Sequence, residues 1–193
     1  MYVHLLSGIT PIYPNIFKHI RISQFTYVAE SDRSSMAANA TDDSSAWGRT
    51  LGEAGEMADR LRTEGWDVVT VRAGHVAPVP PERGDTDRFG LVYVAPEGVA
   101  DTLPAAVERA DLRRYEVFRR QVGNDLFLLT RLDDPDARVA VLLVGAVNLT
   151  TAEPLVDAAR ERGVLHSHVH LLDETRLASV RHDDPAAFFP QLE

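Results

Sequence analysis

Apolar residues change their spacing along this chain, and the changes mark its elements. Trp47, Leu51, Ala54, Ala58 and Leu61 recur at steps of three and four, which predicts a helix starting near Ser44 or Ser45 and stopped by Gly65. Gly48, Gly52 and Gly55 weaken it, marking either close approach to a sheet or mere composition. Trp66 to Val71 and Phe89 to Ala95 read as strands, with a Pro- and Gly-broken loop between them that takes in His75, Val76, Pro78, Pro80 and Pro81. Val99, Leu103, Ala106, Val107 and Ala110 predict a second, short helix.

Tyr115 to Val122, Gly123-Asn124-Asp125 and Leu126 to Leu132 form the clearest hairpin signal. Val139 to Val147 is apolar at every position, which suits a central strand covered on both faces. Thr151 is placed to cap a third helix, and Gly163 ends it. Val164 to Leu172 and Arg176 to Arg181 read as further strands. Asp184 caps a last turn with Pro185 at its first position, and Phe188 and Phe189 close the core. Runs of sequential strands imply hairpins, so the order predicts an α+β fold: a largely antiparallel sheet of five to seven strands with about three helices on one face.

Composition divides the chain. All five isoleucines and the only lysine, Lys18, fall within the first 22 residues. No folding requirement excludes isoleucine, since it packs as well as valine or leucine. A GC-rich gene does exclude it, so the early residues read as upstream sequence with Met36 as the true start. Residues 29–45 are small and polar, too poor in apolar surface to offset the entropy of ordering. The expected organisation is a disordered leader over 1–44 and a single α+β domain over 45–193.

Charge and missing residue types narrow the chemistry. From Met36 onward 17 arginines face 27 Asp and Glu, a net of −10 within a whole-chain −9. Such a surface disfavours nucleic acid and anionic membranes and suits a cytoplasm of concentrated salt, as in a halophilic archaeon. A GC-rich actinobacterium is the alternative, since codon bias alone removes Ile and Lys, and the excess of carboxylates over arginine favours the halophile. Without cysteine there is no disulfide, thiolate metal site or cysteine nucleophile. Without lysine in the domain, a phosphate loop and Schiff-base chemistry are excluded. No G-x-S-x-G elbow is present, no motif calls for a cofactor, and no apolar run is long enough to span a membrane.

His166, His168 and His170 alternate in one predicted strand, so they share a face at steps of about 6.6–6.8 Å. Two can chelate one zinc, but a straight strand keeps the third away. A site would need His75, His182 or Asp173 as a helper. Arg109, Arg113, Arg114, Arg119 and Arg120 concentrate positive charge in an acidic chain, and guanidinium forks suit phosphate or carboxylate. Ion pairing with Glu108, Asp111 and Glu116 is the competing use. Glu153, Asp157 and Glu161 interleave with Arg160 and Arg162 as a solvated helix face.

Gly65-Trp66 ahead of a strand, Asp87-Arg88-Phe89-Gly90, Arg114-Tyr115-Glu116-Val117-Phe118, Asp183-Asp184-Pro185 and Phe188-Phe189-Pro190 together resemble an uncharacterised family of small proteins from halophilic archaea. The resemblance spans Trp47 to Pro190. It implies a domain of unknown function and supplies no catalytic residue or ligand. The resulting expectation is a cytoplasmic accessory or regulatory domain that binds a protein or small ligand without catalysis and without a cofactor. The alternatives are a His/carboxylate metal-dependent hydrolase around His168, and an Arg-rich anion-binding or homo-oligomerisation module.

Overall fold

The computed structural model describes residues 33–83 and 89–192, with side chains from Ser45 onward. The leader up to residue 32 and the stretch 84–88 lie outside the described residues. Helix α1 runs Arg33–Thr63 and so begins well ahead of the predicted Ser44/Ser45 start. Residues 33–44 hold three alanines and no glycine or proline, and extending an existing helix through such a stretch is far easier than nucleating one. The helix ends as the sequence predicts. Gly65 is left-handed (φ +84°), and the Trp66 and Gly65 amides donate to the Leu61 and Arg62 carbonyls at 3.0 Å each, a Schellman stop.

Eight strands follow: β1 Asp67–Arg72, β2 His75–Val79, β3 Gly90–Val94, β4 Arg114–Val122, β5 Asp125–Asp134, β6 Val139–Asn148, β7 Leu165–His170 and β8 Arg176–His182. Helix α2 is Thr102–Arg109 and α3 is Leu149–Arg162. The fold is α+β, but its strands form two four-stranded sheets instead of one sheet of five to seven. The first sheet has the order β1-β6-β5-β4 and the second β2-β3-β7-β8. Each contains one parallel pair, β1/β6 and β3/β7, among otherwise antiparallel neighbours.

The hairpin β4/β5 and the central placement of β6 match the prediction. β2 does not, because Pro78 makes it read as loop. As an edge strand its outer side needs no amide donor, so proline is tolerated there. The cap of α3 also differs: Asn148, not Thr151, accepts from the Thr150 amide at 3.1 Å, while Thr151 donates to the Asn148 carbonyl.

The sheets pack face to face around one core. Val141, Leu143 and Leu128 from the first sheet meet Leu91, Tyr93 and Val169 from the second, joined by Leu103 and Ala106 of α2 and by Ala152, Leu155 and Ala159 of α3. Gly145 permits the approach, since a β-carbon there would stand 2.3 Å from Val76 Cγ2 and 3.1 Å from Tyr93 Cε1. The other face of the first sheet is sealed by α1, whose Ala54, Met57, Ala58 and Leu61 cover Val68, Leu129, Ala140, Leu142 and Val144. Helices therefore lie on both sides of that sheet, not on one. Gly48, Gly52 and Gly55 have open space where a β-carbon would stand, so close approach to a sheet is not what keeps them glycine.

Candidate functional site

β7 turns Leu165, Ser167 and Val169 into the inter-sheet core, which leaves His166, His168 and His170 on the opposite face. Their rings follow one another at centroid distances of 5.8 and 6.2 Å, the first pair stacked. Phe89 fixes one tautomer: its carbonyl lies 3.0 Å from His166 Nδ1 and can only accept, so Nδ1 carries the proton. His168 Nδ1 shares a 2.9 Å hydrogen bond with Ser179 Oγ of the neighbouring strand. Burial, reinforced by Arg176, brings His170 down to about 4, so it is neutral at neutral pH.

The helpers the sequence suggested are placed differently from one another. His75 opens β2 instead of sitting in a loop, and its register with Val94 puts it in one row with His170, two strands away. Asp173 accepts from the Thr175 amide at 2.9 Å, which lowers its pKa and ties it to its own turn. His182 pairs in register with Leu165 and so points to the inner side. Among the described residues no group of three or more His, Asp and Glu gathers at metal-binding distance.

That inner side holds a buried polar run. His182 Nε2 meets Ser167 Oγ at 2.9 Å, and burial, with His166 adding and Asp183 opposing, pushes His182 down to about 3. Its Nδ1 is buried without a hydrogen-bond partner, as are Tyr93 Oη and Thr130 Oγ1. Burial raises Tyr93 to about 12, with the hydroxyls of Thr130 and Ser167 close enough to temper the rise. All four side chains are neutral at pH 7 and reach from the second sheet to the first.

The five arginines do not converge. Alternate residues of β4 face opposite ways, so Arg114 and Arg120 look toward α1 and Arg119 toward the C-terminal turn. Arg120 pairs with Glu53 of α1 at 2.7 Å, and Arg114 lies 3.6 Å from the buried carboxylate of Asp133. Arg119 donates to the Ala186 and Ala187 carbonyls at 2.6 and 3.0 Å. Arg113 pairs with Asp111 at 2.8 Å.

Arg109 borders an open groove. The groove, of about 390 Å³, runs along β1, at the edge of the first sheet, between the end of α1 and α2. Arg62, Thr70, Thr102, Ala105 and Arg109 line it, with Asp67 accepting from Arg109 at 2.6 Å. Arg62 reaches the Val68 carbonyl at 3.3 Å. Thr70 Oγ1 is buried and has no hydrogen-bond partner. Sequence reasoning named Arg109 but missed Arg62 and Thr70. They come from different elements with no fixed spacing, and an isolated Arg or Thr carries no signal.

No helix of the described residues is long and apolar enough to cross a membrane. Neither a curated protein nor a solved structure matches the chain. A model of a family of unknown function (DUF7529) matches residues 33–190, which includes every strand and helix described above, and the chain belongs to that family.

Proposed function

We propose that this domain works as a binding module for a small anionic ligand, carboxylate or phosphate, in the groove along β1, and not as a catalyst. The observation that carries the reading is the combination of Arg62 and Arg109 with the buried, unpartnered Thr70 hydroxyl at one open groove. Arg109, paired with Asp67, and Arg62, paired with Asp59 at 3.2 Å, supply guanidinium donors, Thr102 supplies a hydroxyl above the buried Thr70, and Val99 and Ala105 give an apolar wall. Asp67 holds Arg109 in place until an anion competes for it. The acidic surface, with its net charge of −9, fits an accessory or regulatory role in a salt-rich cytoplasm.

The test is thermal denaturation with inorganic phosphate or acetate, against chloride at matched ionic strength. Millimolar phosphate or acetate raises the melting temperature by a few degrees through linkage, and Arg109→Ala and Thr70→Val each abolish the rise. Equal melting temperatures in all three salts would remove the groove as an anion site.

A further inference from the structure

β4 is an outer strand of the first sheet, bonded to β5 along one edge in unbroken register from Arg114↔Asp133 to Val122↔Asp125. The connecting turn has two residues, Gly123 and Asn124, so the closing pair Val122–Asp125 exchanges both backbone hydrogen bonds. Alternate pairs then do the same. The amides and carbonyls of residues 114, 116, 118, 120 and 122 point to β5, and those of 115, 117, 119 and 121 point outward. This edge is nine residues long and has neither proline nor a bulge. Its middle residue, Phe118, is 44 % exposed, and the edge is guarded only by the charges of Arg114, Glu116, Arg119 and Arg120, which a partner of complementary charge would satisfy.

The strand is self-complementary about that phenylalanine. Two copies run antiparallel around a two-fold axis at Phe118 bring Phe118 opposite the same residue of the second copy. Glu116 then faces the second copy's Arg120, and Arg120 the second copy's Glu116. These are non-hydrogen-bonded pairs, where side chains approach most closely, about 4.5 Å between Cα atoms. Val117 and Arg119 fall opposite one another in the intervening pairs, whose outward amides and carbonyls then bond across the axis. Each Glu116–Arg120 pair joins existing ones, because Arg131 lies 3.5 Å from Glu116 and Glu53 lies 2.7 Å from Arg120. The result is an alternating acid–base row on the α1 side of the sheet. We propose that the chain forms a two-fold dimer through β4, which joins the two copies of the first sheet into one eight-stranded sheet. The inference is independent of the groove at the opposite edge.

The chain's lack of cysteine makes the test direct. Phe118→Cys puts two thiols across the axis within disulfide reach, so mild oxidation yields a covalent dimer. Gln121→Cys sits about 20 Å from its own copy in this register and stays uncrosslinked. Charge exchange tests the pairing separately, by light scattering of the full chain in about 0.15 M KCl, where a Debye length of about 8 Å screens long-range self-repulsion but not ion pairs in contact. Wild type has twice the chain mass. Glu116→Arg and Arg120→Glu each give the monomer mass, and the two changes together restore the dimer. A monomeric wild type, dimers that survive both single exchanges, a double variant that stays monomeric, or equal crosslinking at 118 and 121 would each overturn the proposal. Circular dichroism on every variant separates a folded monomer from an unfolded chain.

Discussion

The outer faces of the two sheets carry unlike chemistry. On the first sheet Val68, Leu129, Ala140, Leu142 and Val144 lie under the apolar stripe of α1. On the second, Ala77, Val79 and Val92 form a small separate cluster, and the same face carries His75, His166, His168 and His170. Among the described residues no helix adds a buried apolar side chain to that cluster. An aliphatic face sealed by a helix responds to changes of volume and is indifferent to pH. The second sheet buries His170 on this face and His182 on its inner side, both with lowered pKa values, and so responds to protons.

The largest effect sharpens the packing side of this contrast. Gly145→Val places a branched side chain where Val76 and Tyr93 already stand and destabilises the fold by about 3 kcal/mol, measured by urea denaturation. A variant as stable as wild type would mean that the sheets do not meet at Gly145.

Next comes acid. His182 titrates near 3 in the fold against 6.5 in the unfolded chain. Between those values the unfolded state binds the extra proton, so stability is complete above pH 6.5 and falls as pH drops. The slope approaches about 1.4 kcal/mol per pH unit, giving a loss of about 2–3 kcal/mol by pH 4.5. His170, whose pKa is lowered to about 4 by burial and then by Arg176, acts in the same direction. His182→Leu makes the decline visibly shallower. An unchanged slope in that variant would move acid sensitivity away from the second sheet.

The smallest effect concerns His168. His168→Ala removes the hydrogen bond to Ser179 and costs about 1 kcal/mol. A chelator leaves the melting curves of wild type and variant unshifted. One equivalent of zinc held by wild type and lost from the variant would instead make the histidine face a metal centre and favour the hydrolase reading.

Wherever local spacing decides, the sequence was legible. Ala54, Ala58 and Leu61 mark the buried stripe of α1, Gly65 and Gly163 mark helix ends, and Gly123 marks the turn of the β4/β5 hairpin. The alternation of His166, His168 and His170 placed them on one strand face, as found. The arginine cluster was legible only as composition, because the strand alternation of β4 sends its members to opposite faces.

The sequence by itself thus determined that three helices exist, the glycine stops of α1 and α3, the hairpin and the α+β class, because each rests on contacts a few residues apart. It misplaced the start of α1 and the cap of α3. Tertiary structure alone decided that eight strands split into two sheets, and that β1 lies parallel to β6 and β3 to β7. Those pairings join residues far apart in the chain, such as Val69 with Val141 and Val92 with His168. Their selection depends on how two apolar faces fit, including the room Gly145 leaves for Val76. β2 became a strand for the same reason, since Pro78 is a breaker in isolation and harmless once its free side lies at the edge of a sheet. The β1 groove likewise exists only after Arg62, Thr70 and Arg109 are brought together from three elements, an arrangement that no local periodicity encodes.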